Sequence, residues 1–161
     1  MITMKKRFII FDWGNTLMTD FNLPGAMCDW DTVEAIDGAV DVCRDLSQRF
    51  LLVIATNGSV SGAGEVKKAL ARVGLDTFFK KIYAQKDIGF GKPDKRLFDH
   101  IMKDLNAMPE ECVMIGDNIE KDVLGAMHYG IDALWFCRDN AVTAPDGVVC
   151  FQHLTEIKDH I

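Results

Sequence analysis

The sequence predicts a protein of the α/β class, in which a mostly parallel sheet is covered by helices on both faces. Six short segments are apolar almost throughout, which is typical of strands that are buried on both sides. Segments with apolar residues at helical spacing fall between most of them. This alternation favours parallel pairing, because each helix returns the chain to the same edge of the sheet. A chain of 161 residues has the length of about one domain, so residues 1–161 are expected to form one.

The first elements have the clearest patterns. A strand is predicted at Arg7–Phe11, where four apolar residues are followed at once by Asp12. A helix is predicted at Ala39–Ser47, because four apolar residues recur there at helical spacing. The next strand, Phe50–Ala55, is the longest unbroken apolar run in the sequence, and a helical pattern follows at Val60–Val73.

The second half of the sequence repeats this alternation. The remaining predicted strands are Lys81–Ala84, Cys112–Ile115, Ala133–Phe136 and Val148–Phe151. The remaining predicted helices are Asp94–Leu105, Ile119–Tyr129 and Leu154–His160. Pro93 is expected at the start of the helix that runs to Leu105, because the first helical turn does not need its missing N–H.

Composition and charge exclude several classes of protein. The net charge of −6 excludes extensive binding to the phosphate backbone of nucleic acids, which requires a basic face. The longest apolar run has six residues, far short of the roughly 18 that a membrane span needs. No segment has the pattern of a signal peptide. The five cysteines form no Cys-x-x-Cys pair and no cluster with histidine, so we expect reduced thiols in a cytoplasmic protein.

Polar side chains follow three of the predicted strands. Asp12 and Thr56 directly follow the first two, and Asp117 comes two residues after the fourth. Ligands bind at the carboxyl ends of the strands in open α/β sheets, so these residues are expected at one edge. Taken singly, Asp12 is better explained as a turn or capping residue, and Lys92 as a solvated lysine. Converging carboxylates, however, repel one another unless a cation neutralises them, and Mg²⁺ prefers oxygen ligands of this kind.

Four short motifs occur in a fixed order along the chain. They are Asp12-x-x-x-Thr16-Leu17, Thr56-Asn57-Gly58, Gly91-Lys92-Pro93 and Gly116-Asp117-x-x-x-x-Asp122. Each is weakly specific by itself, but the four in this order resemble the motifs of the haloacid dehalogenase-like (HAD) superfamily. The resemblance spans Phe8–Phe136, which is most of the chain. It implies a Rossmann-like core and a Mg²⁺-dependent nucleophilic aspartate, usually in phosphoryl transfer.

The resemblance implies a role for each matching residue. The expected catalytic residues are Asp12 as the nucleophile, Thr56, and Lys92, which neutralises charge between nucleophile and phosphate. The residues expected to contact the phosphate are Thr16, Thr56, Asn57 and Lys92. The expected Mg²⁺ ligands are Asp12, the backbone carbonyl of Gly14, Asp117 and Asp122, the last of which alternatively supports Lys92. This set suits phosphoryl transfer, which depends on positioning and charge stabilisation more than on covalent chemistry.

The first motif departs from that of HAD phosphatases at Gly14. Phosphatases of the family usually carry a second aspartate there, which acts as general acid and then as general base. General acid–base catalysis contributes roughly 10²–10⁴-fold to a rate, so we expect slow hydrolysis or a preference for acyl phosphates and anhydrides. Two alternatives stay open. One is a regulatory module that binds Mg²⁺ and phosphate without turnover, and the other is a hydrolase of carbon–halogen or carbon–phosphorus bonds covered by a partner subunit.

The sequence has too few residues for a separate cap domain. Leu17–Arg49 and Ser59–Gly91 contain 33 residues each, and predicted helices and a strand take up much of both. We therefore expect an open, capless site that admits a small-molecule or macromolecular phosphate substrate, or that closes by homo-oligomerisation. The only local cover is the loop Met18–Thr32. It is either a flap, with Trp30 as a substrate platform and Asp20 as a substitute acid, or a packed surface loop with Trp30 in the core.

Overall fold

Six strands form one parallel sheet in the computed structural model, which describes residues 5–139 and 142–161. The strands are β1 (Phe8–Phe11), β2 (Leu51–Thr56), β3 (Phe79–Ala84), β4 (Cys112–Gly116), β5 (Asp132–Phe136) and β6 (Val149–Phe151). Their order is β3-β2-β1-β4-β5-β6, and every pairing is parallel. β1 therefore lies between β2 and β4, where the direction of progress across the sheet reverses. The predicted α/β class is confirmed.

Helices connect most of the strands. They are α1 (Ala39–Ser47), α2 (Ala63–Ala71), α3 (Gln85–Ile88), α4 (Lys95–Leu105) and α5 (Gly125–Tyr129). A π-helical segment, Ile119–Leu124, leads directly into α5, and short 3₁₀ segments lie at Met27–Asp29, Asp76–Phe78, Pro109–Glu111 and Leu154–Asp159. None of the helices in the described ranges combines the length and the hydropathy that a bilayer crossing demands.

Helices cover both faces of the sheet. Ile9 and Phe11 of β1 pack in one apolar cluster with α1, α2 and the 3₁₀ segment near the C-terminus. Phe8 and Ile10 pack in a second cluster with α4 and α5. Successive strand residues point to opposite faces, so all four residues of β1 are buried. This double burial is why the strand sequences are apolar throughout rather than alternating.

Most element boundaries differ only slightly from the sequence prediction. α1 has the predicted bounds, whereas α2 is shorter than the predicted Val60–Val73. β3 begins at Phe79 rather than at Lys81, and the ring of Phe79 packs edge-on against Phe11 with 6.0 Å between centroids. The exposed lysines of this edge strand interrupt its apolar pattern, which is why the sequence predicted a shorter strand.

The start of α4 differs from the prediction. Asp94 is its N-cap and accepts a hydrogen bond from the backbone N–H of Arg96 at 2.9 Å. The helix begins at Lys95, so Pro93 precedes the helix instead of forming its first residue. Lys92 consequently lies in the connection between α3 and α4, before the helix begins.

The predicted helix Ile119–Tyr129 is not α-helical throughout. It is π-helical up to Leu124 and α-helical from Gly125. A Cβ on Gly125 would lie 2.7 Å from the Cβ of Pro93, so the glycine permits close packing against the segment that carries Lys92. The predicted C-terminal helix is likewise a 3₁₀ segment.

The chain between β1 and α1 forms a loop that packs on the core. Trp30 in this loop is 9% exposed and belongs to the same apolar cluster as Phe11. Arg72 of α2 donates hydrogen bonds to the backbone carbonyls of Cys28, Trp30 and Asp31. Within the described residues no inserted cap domain is found between the sheet and its helices, in agreement with the sequence prediction.

Candidate active site

The carboxyl ends of β1, β2 and β4 meet at a cavity of about 310 Å³, which we call the phosphate cavity after the group that the sequence motifs predict there. Asp12 directly follows β1, Thr56 is the last residue of β2, and Asp117 directly follows β4. The backbone N–H of Asp12 donates to the carbonyl of Ile115 at 2.9 Å, which ties the end of β1 to β4. Parallel pairing thus brings residues from distant parts of the sequence to one edge.

Three carboxylates form a cluster in this cavity. Asp12, Asp117 and Asp122 each place one oxygen within 4.8 Å of the others. Burial, together with the adjacent Asp12 carboxylate, raises the pKa of Asp117 to about 7. The hydroxyl of Thr16 lies 3.3 Å from Oδ2 of Asp12 and 3.1 Å from Oδ1 of Asp117, so its single proton lies within donating distance of both carboxylates. The cluster therefore concentrates negative charge in a partly buried place.

Lys92 is the cation within this cluster. Its side chain is 2% exposed, and its ammonium lies 2.8 Å from Oδ1 of Asp12 and 2.8 Å from Oδ1 of Asp122. It also donates to the carbonyl of Ala55 at 2.5 Å. Burial lowers the pKa of Lys92, but the two carboxylates outweigh burial and raise the pKa above its ordinary value. The ammonium is therefore charged, and it neutralises part of the charge on the three carboxylates.

Asn57 holds the segment that carries Lys92. Its side-chain amide donates to the carbonyl of Lys92 at 2.7 Å and accepts from the N–H of Lys92 at 2.8 Å. Gly91 permits this approach, because a Cβ there would collide with Oε1 of Gln85 and lie 2.9 Å from Oδ1 of Asn57. The amide of Asn57, predicted to contact the phosphate, is engaged in positioning Lys92.

Asp122 reaches the cavity from the π-helical segment. Its Oδ2 accepts a hydrogen bond from the N–H of Asn118 at 3.0 Å. Oδ1 of Asn118 in turn caps the segment by accepting from the N–H groups of Glu120 and Lys121. A Cβ on Gly116 would collide with the carboxylate of Asp122, so only glycine fits at the end of β4.

Gly14 lies beside Asp20 at the wall of the phosphate cavity. A Cβ on Gly14 would lie 3.6 Å from the Cβ and 3.8 Å from Oδ2 of Asp20, which is ordinary van der Waals contact. Oδ1 of Asp20 accepts a hydrogen bond from the N–H of Asn22 at 2.8 Å, which fixes the carboxylate. A carboxylate from the loop thus occupies the space next to position 14.

The structure brings most of the predicted site residues to the phosphate cavity. Those that line it are Asp12, Gly14, Thr56, Asn57, Lys92, Asp117 and Asp122. Thr16 is the exception, because its side chain is fully buried and its hydroxyl is directed at Asp12 and Asp117. Its predicted contact with the phosphate is therefore replaced by a contact that positions the carboxylates.

Sequence reasoning assigned no role to five residues that line the phosphate cavity: Trp13, Met27, Gly58, Asn118 and Lys121. The last two lie between Gly116 and Asp122, so the spacing of that motif already placed them near the site. Trp13 carries no comparable signal, because an aromatic residue after a strand is equally typical of a core position.

The chain is similar to known hydrolases over most of its length. A family model described as haloacid dehalogenase-like hydrolase matches residues 20–130, and the chain belongs to this family. The putative HAD-hydrolase YfnB of Bacillus subtilis (strain 168) is 32% identical over 120 residues, which cover 74% of this chain and 50% of YfnB. Glyceraldehyde 3-phosphate phosphatase of Methanothermobacter thermautotrophicus is 31% identical over 88 residues, or 55% of this chain and 38% of that protein. The chain thus spans half or less of the length of these relatives in the sequence alignments.

Solved structures share the fold. An uncharacterized protein from Listeria monocytogenes serotype 4b superimposes with a TM-score of 0.83 at 26% identity, covering 96% of each chain. A crystal structure of Bacillus subtilis YfnB bound to magnesium superimposes with a TM-score of 0.81 at 21% identity, covering 98% of this chain and 99% of that chain. This superposition extends over more of YfnB than the sequence alignment does, and at this identity it shows likeness of fold alone.

Proposed function

We propose that the chain is a Mg²⁺-dependent phosphatase in which Asp12 accepts the phosphoryl group. The observation that carries the proposal is the convergence of Asp12, Asp117 and Asp122 around the buried ammonium of Lys92. Family membership supports it, and so does the similarity to a glyceraldehyde 3-phosphate phosphatase. A buried cation among three carboxylates at one edge of the sheet supports the proposal, because phosphoryl transfer depends on positioning and on charge stabilisation.

The donor set of the phosphate cavity fits Mg²⁺. All three clustered side chains offer oxygen, and Mg²⁺ is typically bound by one or two carboxylates together with substrate phosphate oxygens. Asp12 and Asp117 would hold the ion with the carbonyl of Gly14, and Asp122 would support both the ion and Lys92. When bound, the ion neutralises charge on the transferred phosphoryl group. The magnesium in the crystal structure of YfnB is consistent with this assignment.

In the proposed reaction, the residues of the phosphate cavity act in two steps, transfer of the phosphoryl group to Asp12 and its hydrolysis. A carboxylate oxygen of Asp12 forms a bond to phosphorus while the bond from phosphorus to the leaving-group oxygen breaks. The ammonium of Lys92, 2.8 Å from Oδ1 of Asp12, stabilises the negative charge on the Asp12 carboxylate and on the phosphoryl group. The hydroxyl of Thr56, at the end of β2, donates to a phosphoryl oxygen. Water then breaks the bond between Asp12 and phosphorus, which releases inorganic phosphate and restores the carboxylate.

Gly14 limits the range of leaving groups. It has no side chain that can protonate an alkoxide, so alcohols of high pKa leave slowly. Acyl phosphates, anhydrides and aryl phosphates need little or no protonation of the leaving oxygen. We therefore propose that substrates of this kind react faster than alkyl phosphates.

The experiment that tests the proposal compares wild type with Asp12→Asn. We expect Mg²⁺-dependent release of phosphate from an acyl phosphate by wild type, and a loss of at least about 10³-fold in the variant, because the amide is a poor nucleophile. Asp41→Asn is the matched control, since Asp41 is an exposed aspartate on α1. Turnover at the wild-type rate by a folded Asp12→Asn variant would show that Asp12 is not the nucleophile.

A second candidate function is a module that binds Mg²⁺ and phosphate without turnover. The observation that favours it is Gly14, which lines the phosphate cavity and has no side chain that can move a proton beside Asp12. This alternative predicts Mg²⁺-dependent binding of a phosphate analogue by calorimetry and no release from any ester or acyl phosphate. Sustained turnover of one substrate excludes it.

A further inference from the structure

A second cavity, of about 260 Å³, adjoins the phosphate cavity, and we call it the side cavity. The loop after β1 and the residues that follow β2 form its walls. Trp13, Asp20, Met27 and Gly58 line both cavities, so the two lie side by side. A phosphate ester bound at Asp12 can therefore extend its leaving group into the side cavity.

Most of the large side chains that line the side cavity are apolar. Trp13, Met27 and Trp30 are each less than a tenth exposed and line its buried part. Leu23 and Val60 are about half exposed and line its outer part. Ligand sites are typically walled by apolar and aromatic side chains, with a few polar groups that fix orientation. Asn22, Ser59 and Ser61 supply polar groups to the walls, and the two indole rings favour a flat group.

The charge of the side cavity is negative. Asp20 is the one charged residue on its walls, as far as the structure describes the chain, and neither lysine nor arginine lines it there. A second phosphate or carboxylate on the leaving group would be partly buried beside a like charge, with no cation among the described residues that line this cavity. Burying a charge under these conditions costs free energy. The side cavity therefore disfavours leaving groups that carry negative charge.

Hydrogen bonds hold both indole rings in place. Nε1 of Trp30 donates to the carbonyl of Pro24 at 3.0 Å, and Nε1 of Trp13 lies 3.2 Å from Sδ of Met18. Arg72 of α2 donates to the carbonyl of Trp30 at 2.5 Å. A wall that is fixed before binding loses little conformational entropy when a ligand packs on it.

We propose that the side cavity binds the leaving group and selects phosphate monoesters of small aromatic alcohols that carry no second negative charge. This inference rests on the proposed phosphatase function. The volume of about 260 Å³ is near the lower limit of the roughly 300–1,000 Å³ found for ligand sites, so a single small ring suits it better than a nucleoside does. Phenols also leave without protonation more readily than alkyl alcohols, which agrees with the absence of a side chain at Gly14.

The test uses two esters that differ in one charge: phenyl phosphate and 4-carboxyphenyl phosphate. Wild type is expected to show a kcat/KM for phenyl phosphate at least about fivefold higher, mainly through a lower KM. Val60→Lys places a cation at the side cavity and should shift the ratio toward 4-carboxyphenyl phosphate by about fivefold, as expected for an exposed ion pair. Val142→Lys is the matched control, because Val142 is 46% exposed against 52% for Val60 and does not line the side cavity. It should leave the ratio unchanged.

The outcomes separate this inference from the proposed function. Equal kcat/KM values for the two esters, or the same shift from Val60→Lys and Val142→Lys, would overturn the role of the side cavity. Release of phosphate from an acyl phosphate but from neither ester would also overturn it, and the phosphatase proposal would stand. If none of the three compounds releases phosphate in the presence of Mg²⁺, the proposed function fails, and this inference fails with it.

Discussion

The phosphate cavity and the side cavity lie side by side but are built from different parts of the fold. The phosphate cavity is formed largely by strand ends and the segments that directly follow them, and its Lys92 and Asp122 side chains are each 2% exposed. The side cavity is formed by loops, and its Leu23 and Val60 are about half exposed. The sheet thus fixes the groups that we propose to react, whereas the surface that we propose for the leaving group lies on segments that can change without disturbing the sheet.

The largest expected effect is on the phosphate cavity. Lys92→Met leaves Asp12 and Asp122 without their buried cation, and breaking a buried ion pair by removing one partner typically costs about 3–5 kcal/mol. We expect urea denaturation to show a decrease of this size in the free energy of unfolding. Lys95→Met is the control, because Lys95 pairs with Asp99 on the surface of α4 and such pairs contribute about 1 kcal/mol or less. Equal free energies of unfolding for the two variants would show that the buried ammonium of Lys92 contributes no more to stability than the exposed one of Lys95.

The next prediction concerns Asp20, which lines both cavities. If Asp20 takes part in the reaction, a loop residue as well as the strand ends supplies a reacting group, and the two cavities differ less. If its carboxylate performs the proton transfer that Gly14 cannot, Asp20→Asn should lower kcat by roughly 10²-fold. Adding Gly14→Asp to that variant should restore part of the rate, since a side chain at position 14 meets only ordinary van der Waals contacts.

Asp31→Asn is the control for this pair of variants, because Asp31 is an exposed aspartate of the same loop that does not line either cavity. A kcat for Asp20→Asn that equals that of Asp31→Asn would show that the loop takes no part in the chemistry. The loop would then serve only to contact the leaving group, and the two cavities would differ more clearly in role.

The smallest expected effect is on the side cavity. Arg72→Met removes hydrogen bonds to the carbonyls of Cys28, Trp30 and Asp31, and a typical hydrogen bond contributes about 1 kcal/mol to stability. We expect KM for phenyl phosphate to rise by about threefold at constant kcat, because the loop is less well ordered before binding. Arg44→Met serves as the control, since Arg44 is paired with Asp41 on the exposed side of α1. A fall in kcat without a change in KM would place the loop in the reacting machinery instead.

The sequence was informative where the signal is local. Apolar runs located the strands, and the polar residue that follows each run located Asp12, Thr56 and Asp117. Lys92 could be singled out because a lysine in that motif would compensate the carboxylates, and the structure pairs it with two of them.

Other contacts depend on segments that are far apart in the chain and therefore leave no local pattern. The amide of Asn57 binds the backbone of Lys92, and the hydroxyl of Thr16 points inward to Asp117. The glycine at Gly125 is needed only because the Lys92–Pro93 segment packs against it. Spacing alone identified which residues meet at the site but not which partner each side chain takes.

The order of the strands has a consequence for local opening of the fold. β6 is a three-residue strand at the edge of the sheet and, among the residues described, pairs only with β5, whereas Asp12 follows the central strand β1. Native proteins open in segments, and edges with few contacts open at lower free energy than the centre. Fraying of β6 therefore exposes its amides to hydrogen exchange without moving Asp12, Thr56 and Asp117, which separate only when the most protected part of the sheet unfolds.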